Sequence, residues 1–185
     1  MRALPIAVTV LAAALALTSC DGGGSGDSSS SGKSGDASGS AKKPAVAACV
    51  IGDTGIQVGP ANAATAAGDT GNIPVTLTNK GTQCTLKGFP GLSVQAGGTS
   101  ADIPADTSAA PEQLTLAKGD TASFTITYVG GAAGDTKTLA VKTLKIGLPG
   151  ADTTQSFPWS YGPVAGKGSA IEPNASVTPF QHAGD

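Results

Sequence analysis

Beyond residue 45 the chain is patterned with a period of two, and no stretch carries the 3.6-residue period of an amphipathic helix. Ile73, Val75 and Leu77 alternate with Thr76 and Thr78. Leu92, Val94 and Ala96 form a second run, and Phe124, Ile126 and Tyr128 alternate with Ser123, Thr125 and Thr127. Each run offers one face to a core and the other to water, as a strand in a half-buried antiparallel sheet does. Ile56 and Val58, with Cys49 and Ile51, make a broken first strand. The run from Thr138 to Leu148 slips phase: Leu139 and Val141 share one face, then the apolar set continues at Leu144, Ile146 and Leu148. A β-bulge near Thr143 would restore the facing. Ala61 to Gly68 is alanine-rich but has no large apolar anchor, and is expected to be a loop. Short Gly, Pro, Asn and Asp turns separate the runs. The pattern predicts an all-β fold, an immunoglobulin-like antiparallel β-sandwich of Greek-key type, over residues 46–180, with a disordered tail at 181–185.

The N-terminal end is different in kind. Met1-Arg2 precedes an apolar stretch of about fifteen residues, Ala3 to Leu17, too short to span a membrane comfortably and typical of a secretory signal. Leu17-Thr18-Ser19-Cys20 matches a bacterial lipobox, so residues 1–19 are expected to be a lipoprotein signal peptide. Cys20 would then carry the acyl chains, palmitate included, that hold the protein at the extracytoplasmic face of the cell membrane. Residues 20–45 contain Gly, Ser, Asp, Ala and Lys and almost nothing apolar, so they cannot offset the entropy of ordering. As a flexible tether of about 24 residues they would reach roughly 25–30 Å. The net charge is −2 and only 13% of residues are charged. Without a basic patch the chain has no footprint for nucleic acid.

A corner organises the remainder. Thr78-Asn79-Lys80-Gly81 turns the chain and delivers Cys84 to the next strand, and Gly88-Phe89-Pro90-Gly91 turns it again, with Phe89 expected to tuck beneath the turn. The run LTNKGTQCTLKGFPGLSV resembles the signature of an actinobacterial lipoprotein domain catalogued as domain of unknown function 4232. In that family T-N-x-G is followed by C-T-L and G-[YF]-P-G. Leu114 to Ala122 resembles the family's L-x-P/K-G-x-x-A turn, and Val177-Thr178-Pro179-Phe180 resembles its closing V-x-P-F. The resemblance spans roughly residues 48 to 180 and implies a sandwich-like β-domain with no activity attached. It also implies a disulfide, because Cys49 stands where the family places the partner of Cys84. Lipidation of Cys20 would leave these two as an even pair in an oxidising compartment. Their bridge would enclose the 34 residues from 50 to 83. A further cysteine carried by many members is replaced here by Gly and Ala near Gly130 to Asp135.

Chemistry is sparse. The single histidine, His182, is the fourth residue from the C-terminal end of the sequence, and the two glutamates, Glu112 and Glu172, are far apart in sequence. A nucleophile needs a positioned base, so no enzyme, cofactor or catalytic residue is expected. Two cysteines and one histidine are too few for zinc. Asp102, Asp106 and Asp120 lack the spacing of a calcium loop, and Asp53, Asp69, Asp120, Asp135 and Asp152 read as turn formers. Phe157, Trp159 and Tyr161 fall on one face of an extended segment. They either close one end of the core, the usual place for large aromatics, or form an exposed face for a cell-wall glycan or envelope protein. Pro158 bars this segment from the centre of a sheet. The sequence thus points to a membrane-anchored exported lipoprotein with a non-catalytic binding module, the alternative being a structural envelope lipoprotein with no specific ligand.

Overall fold

The computed structural model describes residues 45–184. Residues 1–19, expected to be a signal peptide, Cys20 and nearly all of the expected tether lie outside the described residues. A 3-10 turn at Ile51–Asp53 is followed by thirteen strands: β1 (Thr54–Val58), β2 (Thr70–Asn79), β3 (Cys84–Lys87), β4 (Gly91–Ala96), β5 (Thr99–Ile103), β6 (Gln113–Leu116) and β7 (Thr121–Val129), then β8 (Thr138–Leu139), β9 (Thr143–Gly147), β10 (Thr154–Pro158), β11 (Val164–Ala165), β12 (Ala175–Val177) and β13 (Gln181–His182). One sheet has the order β1-β2-β7-β12, with β13 also on β7, and a second has the order β10-β9-β4-β5. Two small pairs, β3-β6 and β8-β11, complete an all-β sandwich.

The centre of the first sheet is the antiparallel pair of β2 and β7, in register from Thr70 opposite Val129 to Thr78 opposite Thr121. Its inner face carries Ile73, Val75, Leu77, Phe124, Ile126 and Tyr128, all fully buried. From the second sheet, Leu92, Val94, Leu144 and Ile146 join the same core. Burying each such side chain stabilises the fold by about 1.5–3 kcal/mol before entropy is counted. The outer face of β7 is Thr121, Ser123, Thr125 and Thr127, so the alternation in the sequence is the alternation of faces.

Four local expectations are corrected. The run from Thr138 to Leu148 has no bulge near Thr143: it breaks at Ala140 to Lys142 into β8, which pairs with β11, and β9, which pairs with β4 and β10. The phase slip therefore marks a change of sheet. Cys49 and Ile51 do not extend β1; Ala48 bridges Thr85 in parallel, and the Cys49 N–H donates to the Thr85 carbonyl at 2.9 Å. Phe89 is only half-buried, and Pro90 is the buried residue of that turn. The segment read as a disordered tail is paired through Gln181 opposite Ser123 and His182 opposite Ala122, and the Ala183 N–H reaches the Thr121 carbonyl at 3.2 Å. Ala61 to Gly68 contains no helix, in line with the loop expected there.

The sequence signatures acquire physical roles. Asn79 ends β2 with the same parity as Ile73, Val75 and Leu77, so its amide points inward and is 1% exposed. Its Nδ2 donates to the carbonyls of Thr82 (2.8 Å), Leu116 (3.0 Å) and Ala117 (3.2 Å), and its Oδ1 accepts the Gly81 N–H at 3.0 Å. One side chain thereby ties the first corner to the turn at Lys118-Gly119-Asp120. In that turn Gly119 adopts a φ of +94°, and the Asp120 carboxylate accepts the Ala117 N–H at 2.9 Å. At the closing V-x-P-F, Thr178 donates its N–H to the Thr125 carbonyl (3.0 Å) and accepts the Thr125 N–H on its hydroxyl (2.9 Å). Pro179 then lifts the chain out of the ladder, and Phe180 drops edge-on against Phe124 at 5.4 Å.

Candidate functional site

The cysteines and the aromatic segment are the side chains singled out by sequence, and the fold keeps them apart in role. Cys49 and Cys84 form a disulfide with an S–S distance of 2.06 Å and a Cα–Cα distance of 4.9 Å. The bridge fastens the chain to β3 at the start of the domain, beside the Ala48–Thr85 pairing. Cys20 lies outside the described residues.

Strand β10 is an edge strand, as Pro158 requires, with Phe157 opposite Leu144 and half-buried. Just past it, Trp159 turns inward and is 6% exposed. Its backbone N–H donates to the Lys142 carbonyl at 2.9 Å, and its indole N–H donates to the Gly162 carbonyl at 2.6 Å. Gly162 has a φ of +84°, a conformation glycine reaches without a Cβ clash. Trp159 stands edge-to-face between Tyr128, at 5.2 Å, and half-buried Tyr161, at 5.1 Å. The Tyr128 hydroxyl donates to the Tyr161 carbonyl at 2.6 Å and accepts the Ala64 N–H at 3.1 Å. Phe157, Trp159 and Tyr161 are therefore not an exposed platform: Trp159 is a core residue with its indole N–H and its backbone N–H both satisfied.

The cluster nevertheless reaches a surface. A cleft of about 500 Å³ opens beside Trp159, walled by Asp135, Thr138, Val141, Lys142 and Pro163. An apolar wall with one ammonium and one carboxylate beside it suits a ligand with both apolar and hydroxyl faces. The sequence pointed to Trp159 and Tyr161 but missed Tyr128, Lys142 and Asp135 as their neighbours. Tyr128 was legible only as an inward strand position, and the partners of its hydroxyl come from loops distant in the chain.

Titratable groups outside this cleft are mostly local. The Thr65 hydroxyl (2.7 Å) and the Ala66 N–H (2.9 Å) hold the Asp69 carboxyl below its ordinary range, and bonds from Ser108 do the same for Asp106. Within the cleft, the Asp135 carboxylate accepts the Lys137 N–H at 2.8 Å. Among the described residues no three of His, Cys, Asp or Glu gather as a metal-holding group. No described helix is long and apolar enough to cross a membrane.

Compared with known proteins, residues 49–181 match the model of a family described as Domain of unknown function (DUF4232). No curated protein and no solved structure matches the chain.

Proposed function

We propose that this chain, which belongs to the family described as Domain of unknown function (DUF4232), is a non-catalytic binding module of an exported lipoprotein. Cys20 carries the lipid, residues 21 to 44 are the tether, and the sandwich, in its immunoglobulin-like Greek-key form, stands above the extracytoplasmic face of the cell membrane. The actinobacterial origin belongs to the same reading, through the lipobox and the family signatures in the sequence. The observation that carries the binding role is the cleft beside Trp159, where an indole otherwise held in the core contributes to a surface hollow with Lys142 and Asp135 at its side. Its ligand is a neutral wall glycan: a sugar ring offers an apolar face to Trp159 and Val141, and hydroxyls to Lys142 and Asp135.

Trp159 is the single tryptophan of the chain and so reports on the cleft directly. Titration with soluble N-acetylated cell-wall oligosaccharides should shift its emission, and Ala140→Arg, at an exposed lining position outside the strands, should abolish the shift while leaving the thermal midpoint unchanged. If parent and variant respond alike, or neither responds at millimolar sugar, the structural alternative is the better description. The anchor is tested separately: an alkynyl palmitate analogue should label the parent and not Cys20→Ser.

A further inference from the structure

The two sheets of the sandwich meet along one seam, and the seam is incomplete. Strand β5 folds back on β4 through the two-residue turn Gly97-Gly98, with Ala96 opposite Thr99. A turn that short makes Ala96 and Thr99 a hydrogen-bonded pair, and the alternation of an antiparallel ladder assigns Ala101 and Ile103 to β4 as well. The backbone groups of Ser100, Asp102 and Pro104 therefore point to the other side. At Pro104 that side is occupied: its carbonyl accepts the Val177 N–H at 3.0 Å, and the Asp106 N–H donates to the Val177 carbonyl at 2.8 Å. One step back along β5, the N–H and C=O of Ser100 and Asp102 have no backbone partner among the described residues. Strand β12 has left the seam there, because Asn174 is engaged with Val129 (2.9 Å) and Ala165 (2.7 Å).

The parting of β5 from β12 opens a cleft of about 580 Å³. Ser100 and Asp102 form one wall; Lys167, Ile171 and Glu172 form the other. The second wall is a loop closed at its base by the Gly166–Pro173 bridge and by the Lys167 N–H on the Glu172 carbonyl at 2.8 Å. At its tip Ile171 is 63% exposed, more than the exposed Val46 and Val50.

We infer that this cleft docks an extended peptide, which adds as a strand to the free edge of β5 and sets an apolar side chain against Ile171. An unpaired strand edge is a template for another chain, and an apolar wall beside it supplies the side-chain selection that main-chain pairing lacks. Lys167 offsets one of the two carboxylates of Asp102 and Glu172, so recognition rests on the main chain rather than on charge. The loop carrying Ile171 faces β5 across the cleft, so a single extended segment would meet the free backbone groups and the apolar side chain together. The inference is independent of the Trp159 cleft, which shares no lining residue with this one.

The test uses the full chain, isotope-labelled, with the blocked peptide acetyl-Thr-Val-Thr-Leu-Thr-Val-amide as probe. Its addition should shift the Ser100 and Asp102 amides and slow their exchange, leaving Trp159 emission unmoved. Two N-methylated probes, methylated at alternate residues in opposite phase, separate edge pairing from greasy contact. One phase should bind as the parent probe does and the other not at all, because successive amides of a strand point to opposite sides. Ser100→Pro deletes an outward N–H that β4 does not use, and Ile171→Asp removes the apolar wall without touching β5. Each should weaken the probe at least tenfold with the thermal midpoint held, and should Ser100→Pro fail to fold, Ile171→Asp and the methylated pair decide. Equal binding of both methylated probes, or no amide shift at about 1 mM probe, would overturn the inference.

Discussion

At the scale of single residues, two side chains hold more of this fold together than their types suggest. Asn79 is a buried amide with four polar partners in two turns. Asn79→Ala would leave buried carbonyls and the Gly81 N–H unpaired, which costs about 2–4 kcal/mol. Urea unfolding should show that loss, whereas Thr76→Ala on the outer face of the same strand should change stability by no more than about 0.5 kcal/mol. Tyr128 lies opposite Gly71 in the β2-β7 register, and a Cβ at Gly71 would run into its ring. The Ala64 backbone nitrogen, 2.8 Å from the same point, blocks the other escape. Gly71→Ala should therefore cost roughly 2 kcal/mol or more and dislodge the Tyr128 hydroxyl from Tyr161, seen as a loss of near-ultraviolet circular dichroism. A smaller effect belongs to Asp69, whose ionised form is favoured first by the Thr65 hydroxyl and then by the Ala66 N–H. A depressed carboxylate adds stability that is present above its unfolded value and lost as the pH falls through the folded one. In a carboxyl-carbon titration Asp69 and Asp106 should thus protonate at lower pH than an unperturbed aspartate, and Thr65→Ala should move Asp69 back toward the ordinary range.

At the scale of elements, the disulfide and the prolines explain the layout. The Cys49–Cys84 bridge closes a long loop containing β1 and β2, so opening it frees a large part of the unfolded chain. The chain-entropy model puts the loss at roughly 3–4 kcal/mol. Reductant, or the Cys49→Ser, Cys84→Ser pair, should lower the thermal midpoint by roughly 10 °C. Exchange should quicken first at Thr85, whose N–H is held by the Ala47 carbonyl just outside the bridge. Pro74 sits inside β2 with its carbonyl on the β1 side, where Gly59 donates to it at 2.8 Å just beyond the last β1 pair. The N–H that proline lacks therefore belongs to the end of the β1 ladder and not to the β2–β7 pairing. This is why a proline in a central strand was compatible with the alternating pattern around it. The break between β8 and β9 was legible only as a phase slip. A bulge and a change of sheet both shift the apolar phase by one, and only the available partners distinguish them.

At the scale of the whole molecule, the position of Trp159 joins fold to function. A 6%-exposed indole should emit at short wavelength and resist quenching by iodide; a red emission with efficient quenching would contradict its inward placement. The strand runs and the corner were readable along the chain because each rests on short-range rules, whereas the pairing of Cys49 with Cys84 was readable through the family resemblance. Period two follows from the pleat, and glycine permits positive φ at the turns. The aromatic segment was readable as a group, but its burial was not, since on an edge strand one face can meet either core or water. The Trp159 cleft and the open edge of β5 were not readable at all. Each is made by segments far apart in the chain: 135–142 against 159–163, and 100–102 against 167–172. The sequence by itself determined the strands, their inward faces and the two turns that Asn79 later joins, since these depend on neighbours a few residues away. The tertiary structure alone decided which strands share a sheet, that Trp159 turns inward and that β12 leaves β5 unpaired, because those outcomes depend on which distant backbone groups find partners first satisfied elsewhere.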